Sequence, residues 1–320
     1  MRTVIVMPVF EDWDAALELC RLIDGEFRDD SLFNLTVLLV DDGSTTSVPP
    51  TTLESKFQSI ERIALLSIRR NLGHQRAIAV ALAYVNEQWK GDAVVVMDAD
   101  GEDKAQDIRV LLATMRQFAK PTAVFAERSK RLENHIFILF YFCYRILHEL
   151  LTGRDIRFGN FSALPWSHLN VLVVYPELWN HYAATVLKST LPYVRVPCSR
   201  GVRLRGKSRM DFVSLLVHGL SALFANQEVV GSRLLVLNII GTTILFVGIA
   251  AVIGVKFLTR LAIPGWATTT LGLLLVLVSQ SLIASFVLVF SIMMNRSQLG
   301  FLPVRDYAYF IASEKTLYQK

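Results

Sequence analysis

Cysteine is scarce in this 320-residue chain: Cys20, Cys143 and Cys198 form an odd, scattered set. They lack metal-type spacing and do not make a disulfide framework, so the simpler reading is three small apolar residues in a reducing compartment. There is no Cys-x-x-Cys pair, no Walker-type phosphate loop and no Ser-His-Asp arrangement. Dithiol exchange, P-loop nucleotide hydrolysis and serine-type acyl transfer therefore have no motif to carry them. No repeat or low-complexity tract occurs. Nor does the N-terminus carry a long apolar segment followed by small residues, so no secretory signal is expected, and the N-terminal part is expected to stay on the side of synthesis. No nucleic-acid partner is expected.

Apolar residues are abundant. They make up 52% of the chain, and the mean hydropathy is +0.40. The first half nevertheless carries many charges, so the excess lies elsewhere: in residues 234–255 and 266–294, two charge-free stretches that each reach or exceed the roughly 20 residues needed to cross a bilayer. Uninterrupted apolar length of this kind is rare in the core of a soluble domain. A transmembrane hairpin is expected, with spans over 233–258 and 266–294 and a short loop holding Lys256, Arg260, Pro264 and Gly265. Arg233, Arg296 and Arg305 flank its outer ends, which favours a cytosolic location for them.

Before the hairpin, strand-like runs alternate with amphipathic segments, the pattern of βα units and a mainly parallel sheet. Strands are expected near 2–7, 35–40, 62–68, 93–98 and 121–126, with helices over 14–27, 75–87 and 105–118. Thr45 to Thr52, with Pro49-Pro50, reads as a surface loop. Two of the runs end in acids. Ala93-Val94-Val95-Val96-Met97 leads into Asp98-Ala99-Asp100, and Leu38-Leu39-Val40 leads into Asp41-Asp42-Gly43-Ser44. Taken alone, an Asp-x-Asp is an ordinary solvated turn. After a buried parallel strand it lies where open α/β sheets bind ligands. Two acids one residue apart can hold a hard divalent cation and present it to phosphates, the chemistry of a nucleotide-diphosphate donor.

The chain resembles the GT-A-fold glycosyltransferases of family 2, in the membrane-bound branch that includes dolichol-phosphate mannose synthase and the bactoprenol glucosyltransferases. The residues carrying the resemblance are Met7-Pro8-Val9-Phe10-Glu11-Asp12, Val40-Asp41-Asp42-Gly43-Ser44, Arg70-Asn71-Leu72-Gly73-His74-Gln75, Asp98-Ala99-Asp100, Arg128 with Arg131, Gly159-Asn160-Phe161 and Gly206-Lys207-Ser208-Arg209. Three positions depart from the family pattern: Glu11 replaces Asn, Glu102 replaces Gln, and Asn160 replaces an acid. The resemblance implies an α/β fold with a mainly parallel sheet, a divalent metal (Mg2+ or Mn2+), a UDP- or GDP-sugar donor and a polyprenyl-phosphate acceptor. It assigns Pro8, Val9, Glu11, Asp41, Asp42 and Asp98 to the donor pocket. Asp100 is the expected main metal ligand, with Asp98 and Glu102 beside it. A phosphate acceptor is already ionised at neutral pH and has little need of a general base. Asn160, which cannot act as one, is then expected to hydrogen-bond donor or acceptor. Arg128, Arg131, Arg205 and Arg209 are the candidates for holding the lipid phosphate, because guanidinium forks match phosphate oxygens. His74 and Gln75 read more simply as the start of a helix.

The expected organisation is a catalytic domain over 1–207, an interfacial helix within it near 133–152, a second over 208–228, the two spans, and a cytosolic tail over 295–320. The cluster Arg203, Arg205, Lys207 and Arg209 is expected near anionic headgroups. A bacterial inner membrane is the expected location, and the hairpin and interfacial helices offer surfaces for a homo-oligomer. Two other classes stay open: transfer to a saccharide hydroxyl, which needs a base, and a non-catalytic nucleotide-sugar-binding module.

Overall fold

A computed structural model describes residues 1–28, 30–49, 57–129, 146–153, 158–205, 220–221, 223, 225–259, 265–297 and 300–320. The chain divides into two compact units. One comprises Met1–Ile146, Arg154–Ala225 and Gly300–Lys320, and the other Leu147–Gly153 and Asn226–Leu299.

The first unit is built on βα alternation: β1 (Arg2–Val9), α1 (Trp13–Glu26), β2 (Asn34–Asp41), β3 (Ile60–Ile68), α2 (His74–Gln88), β4 (Ala93–Val96) and α3 (Ala105–Arg116). There follow β5 (Ala123–Ser129), β6 (Phe158–Pro165), α4 (Trp166–Leu172), α5 (Tyr182–Lys188) and β7 (Tyr193–Ser199). The five strands expected from sequence correspond to β1–β5. Their continuous apolar runs have a direct cause, since the sheet is covered on both faces. Ile5, Met7 and Val9 of β1 join one core with α1 and α3, while Val4 and Val6 join another with α2 and α5. With side chains alternating between faces, both sets must be apolar.

Eight strands form one sheet in the order β7-β5-β6-β4-β1-β2-β3-β8, the last being Ile311–Gln319. Pairs β4-β1, β1-β2, β2-β3 and β5-β7 are parallel, while β4-β6, β5-β6 and β3-β8 are antiparallel. Strands β4, β1 and β2 are adjacent and parallel, which brings their carboxyl ends, and the acids beyond them, to one edge of the sheet.

The end of the chain departs from the sequence reading. Residues 311–319, expected within a tail, add β8 to the sheet: Arg62 pairs with Glu314 at 2.5 Å, and the Arg69 and Lys320 amides donate to the Phe310 and Glu61 carbonyls. Just before β8, Phe301 packs on Trp179 with ring centroids 3.8 Å apart, and Tyr307 accepts from Gln88 Nε2 at 3.0 Å. This segment covers α2, whose central turns Ala77–Val85 are wholly buried. The alanines at 77, 79, 81 and 83 fit a helix sandwiched between sheet and covering segment, where larger side chains would not fit.

The second unit is a helical hairpin, α6 (Gln227–Leu258) and α7 (Trp266–Ser297). Both are long and apolar enough to cross a membrane, over Gln227–Leu258 and Trp266–Met294. At about 1.5 Å rise per residue, 32 residues of α6 extend about 48 Å, more than a hydrocarbon core of about 30 Å. Beyond its first turn, where Ala267 and Thr270 are also less exposed, the less exposed positions of α7 are 271, 274, 278, 281, 285, 288 and 292, spaced alternately three and four apart as in a two-helix seam. Gly231 and Gly248 of α6 face Ile292 and Leu274 there. Asn238, Thr242 and Ser281 form a hydrogen-bonded cluster across the seam, with Thr242 and Ser281 hydroxyls 2.5 Å apart. Residues 147–153 belong to this unit rather than to the catalytic domain, and Arg233 Nη1 donates to the Leu150 carbonyl at 2.5 Å. The expected interfacial helices near 133–152 and 208–228 otherwise lie mostly outside the described residues.

Candidate active site

Three acidic turns meet beyond β1, β2 and β4. Pro8 and Val9 end β1 buried, in register with Val40 and Asp41 of β2, and the Asp42 amide donates to the Val9 carbonyl at 2.9 Å. After β1 the chain turns through Glu11, a non-glycine residue at φ 59°. Its amide donates to Ser44 Oγ at 2.9 Å, and its carboxylate accepts from the Thr45 amide and hydroxyl at 2.5 and 2.6 Å and from the Thr46 hydroxyl at 2.5 Å. These bonds hold the Glu11 carboxyl down to about 2, the Thr45 and Thr46 hydroxyls contributing most. Glu11 thus clamps the loop after β2. Asp41 Oδ1 accepts from the Ser44 amide at 2.8 Å and tightens the same loop.

Asp42 is buried, and both of its oxygens are occupied: Oδ1 accepts from the Leu72 amide at 2.8 Å and Oδ2 from the Gly73 amide at 2.9 Å. Burial raises its pKa, and the two backbone bonds oppose that rise. Its side chain ties β2 to the start of α2. Gly43, at φ 75°, is required there, because a Cβ would come 2.5 Å from the Asn71 amide nitrogen.

Asp98 and Asp100 leave β4 on a turn capped from within. The Asp98 amide donates to the buried Asp103 carboxylate at 3.0 Å, and the Glu102 amide donates to Asp100 Oδ1 at 3.0 Å. Burial first, and the neighbouring Asp98 charge second, push the Asp100 pKa up. The pair is therefore short of positive charge. A strap over 200–205, continuing from β7, supplies some. Arg203 Nη1 donates to Asp100 Oδ2 at 3.3 Å and Nη2 to Asp12 Oδ2 at 2.5 Å, and the Leu204 amide donates to the Asp100 carbonyl at 2.9 Å. Gly101 lies under Leu204, with its Cβ position 2.4 Å from that side chain. Arg200 Nε donates to Glu102 Oε2 at 2.8 Å.

Glu102 is thus paired with Arg200 and does not join Asp98 and Asp100 in a three-carboxylate cluster. Among the described residues, no three acid, histidine or cysteine side chains converge as a metal cage. Two carboxylates still suit Mg2+ or Mn2+, since Mg2+ is usually held by one or two carboxylates together with substrate phosphates. Asp98 and Asp100 fit a metal that arrives with, or is completed by, a diphosphate.

Opposite this turn, His74 opens α2. Its Nε2 lies 3.1 Å from Asp98 Oδ1 and 3.0 Å from Asn160 Nδ2 of β6. Burial works against the imidazolium, but the Asp98 carboxylate, backed by Asp103 and Asp42, outweighs it and raises the His74 pKa. Asn160 Oδ1 accepts from Gln75 Nε2 at 3.1 Å, and Gln75 Oε1 accepts from the Tyr182 amide at 2.8 Å. Asn160 is therefore held facing the acids by residues on α2.

Sequence reading missed Arg203, Asp12 and His74 as members of the site. By sequence Arg203 belongs to a basic cluster expected near lipid headgroups, and only the path of the strap turns it to Asp100. Of the proposed phosphate-binding arginines, Arg205 is exposed at the end of the strap, and the backbone of Arg128 lies in β5 opposite Cys198. The Arg128 side chain, Arg131 and Arg209 lie outside the described residues.

Residues 4–163, half of the chain, match the family described as Glycosyl transferase family 2. Over 113 residues the chain is 28% identical to an undecaprenyl-phosphate 4-deoxy-4-formamido-L-arabinose transferase of Erwinia tasmaniensis, covering 35% of this chain and 33% of that protein. A transferase of the same name from Enterobacter sp. (strain 638) is 26% identical over 149 residues, 41% of this chain and 42% of that protein. The chain thus spans between a third and a little over two fifths of the length of these relatives. Among solved structures, glucosyl-3-phosphoglycerate synthase of Mycobacterium tuberculosis, with Mn2+, UDP-glucose and phosphoglyceric acid, aligns with a TM-score of 0.51 at 15% identity, over 72% of this chain and 79% of that one. That likeness is one of fold, and the fold is GT-A, as expected from the sequence.

Proposed function

The chain belongs to glycosyl transferase family 2, and on that premise we propose that it transfers a sugar, with inversion, from a UDP- or GDP-sugar to a polyprenyl phosphate at the cytosolic face of a bacterial inner membrane. The observation that carries this reading is the pairing of Asp98 and Asp100 beyond β4, with Arg203 set against them. Asp100, as main ligand, and Asp98 would hold a divalent metal, which when bound would supply positive charge to offset the diphosphate leaving group. Pro8, Val9 and Asp41, with the loop that Glu11 clamps, border the pocket for base and ribose.

The chain's other groups favour an acceptor that brings its own charge. Asn160 has no proton to take up or release, so the position where the family carries an acid cannot activate a sugar hydroxyl, which needs a base. A phosphate monoester attacks without one, and Asn160 is positioned to orient it. Arg128, Arg131, Arg205 and Arg209 supply the cationic surface for that phosphate.

Both helices of the hairpin are read as spans. The chain leaves the first unit by residue 225 and is back in it by residue 300, adding β8 to the same sheet that contains β1. Such a return supports an even number of crossings, with Arg2 and Lys320 on one side. The relatives' names support a bacterial lipid acceptor.

The deciding experiment is a donor screen with purified full-length protein, polyprenyl phosphate and Mg2+ or Mn2+, followed by separate titrations of donor and acceptor. Product should form on the lipid phosphate, chelation should abolish it, and R205A should raise the KM for lipid phosphate more than that for donor. A free saccharide outcompeting the lipid would select hydroxyl transfer, and metal-dependent donor binding without turnover would select a binding module.

A further inference from the structure

Near the middle of the second span the hairpin carries a carboxamide that meets no partner among the described residues. Of the carboxamides inside the spans, Gln227 stands at the first residue of α6 and Asn238 is satisfied across the seam by Ser281. Gln280 is the other. It is the central residue of the span Trp266–Met294, it is exposed, and among the described residues its amide has no hydrogen-bond partner. Several hydroxyl side chains of the hairpin bond to the preceding turn of their own helix, as Ser279 does to the Leu275 carbonyl at 2.9 Å and Thr243 to the Ile239 carbonyl at 2.9 Å. The glutamine side chain is too long to copy that contact easily. Its neighbours on the same outward stripe are Leu273, Val276, Leu277, Ile283, Ala284 and Val287, all exposed. A carboxamide set in the middle of an apolar, lipid-facing stripe is costly in hydrocarbon unless another protein group meets it.

We infer that this stripe of α7 is the contact between two copies of the chain, with Gln280 of one copy hydrogen-bonded to Gln280 of the other. Two arguments identify the occupant. A carboxamide is self-complementary: across a two-fold axis, the N–H of each donates to the C=O of the other. Two copies inserted with the same orientation also hold residue 280 at the same depth, so a second copy presents an identical group at the midplane with no further requirement. Ala284, one turn on, lets the backbones approach. The inference rests on the proposed crossing of both helices.

The test is disulfide cross-linking of the full-length chain in native membranes. The parent chain, with its own three cysteines, sets the background. A284C should give a covalent dimer, whereas I244C, exposed on α6, should not. Adding Q280L to A284C should lower the dimer yield about tenfold, while Q280N should retain part of it, in line with the worth of one or two interhelical hydrogen bonds. Equal yields with and without Q280L, or cross-linking of A284C to a different protein, would overturn the inference. Insertion is scored separately, by alkaline extraction and labelling of both termini. A chain that inserts as a two-span hairpin yet gives no A284C dimer refutes the self-contact alone. A chain whose α7 is open to aqueous label refutes the membrane reading, and the contact with it.

Discussion

Asp41-Asp42-Gly43 after β2 and Asp98-Ala99-Asp100-Gly101 after β4 look alike as sequence, since each is an apolar run, then acids, then a glycine at positive φ. Their surroundings give them opposite tasks. Both oxygens of Asp42 accept backbone amides from the loop before α2, so its charge is satisfied and enclosed. Asp100 accepts one backbone amide, lies beside a second carboxylate, and faces a guanidinium from a strap 103 residues away. An acid at a strand end becomes structural when the neighbouring backbone supplies its donors. It remains available for a ligand when the backbone supplies only part of them.

That contrast is sharpest in a pair of substitutions. D100N should lower turnover by about 100- to 1,000-fold, the scale of losing a group that stabilises developing charge, while leaving thermal stability almost unchanged. Burial and Asp98 already disfavour the charged form of Asp100, so neutralising it costs the fold little. Kinetics and a melting curve on the same preparation check both halves, and near-normal turnover would remove Asp100 from the metal site. D42A should do the reverse in stability, costing about 2–3 kcal/mol by leaving the Leu72 and Gly73 amides without acceptors, with a lowered denaturation midpoint as readout. If D42A lost activity yet melted normally, the distinction between the two turns would collapse.

A smaller effect tests the strap. Arg203 lowers the Asp100 pKa against the raising effects of burial and Asp98, so R203Q should move the acidic limb of the pH-activity profile to higher pH, together with a higher metal requirement. An unmoved limb would show that Arg203 does not act on Asp100 in solution. The smallest effect concerns Glu11. Its carboxyl is depressed from 4.5 to about 2 by the Thr45 and Thr46 contacts, so the clamp it forms is fully present above the unfolded value and is lost as pH falls through the folded one. Amide exchange at Thr45 should therefore stay slow at neutral pH and accelerate only between about pH 4 and pH 2, and E11Q should abolish that pH dependence.

The parts of this protein that sequence made legible share a property. The strands β1–β5, the helices between them, the two acidic turns and the paired apolar stretches are all set by local pattern or by length. Strand β8 was not legible, because Ile311–Gln319 is largely polar and has no buried residue, with burial irregular along it. Its place depends on the free edge of β3. The role of Arg203 was equally hidden. In sequence it is one of several basic residues in a row, and nothing local distinguishes the one that reaches Asp12 and Asp100.

By itself, then, the sequence determined the α/β alternation, the acids at strand ends and the hairpin of two long apolar helices, since each follows from side-chain periodicity, burial on both faces of a sheet, or the thickness of a bilayer. Tertiary structure alone decided which acid is tied to backbone and which faces a cation, and where the last strand lies. Those outcomes depend on hydrogen bonds between residues far apart in the chain, such as Asp42 with Leu72, 30 residues on, Asp100 with Arg203, 103 residues on, and Arg62 with Glu314, 252 residues on. No local pattern encodes a partner at such a distance, because it is the closing of the sheet and the path of the loops that bring the two together.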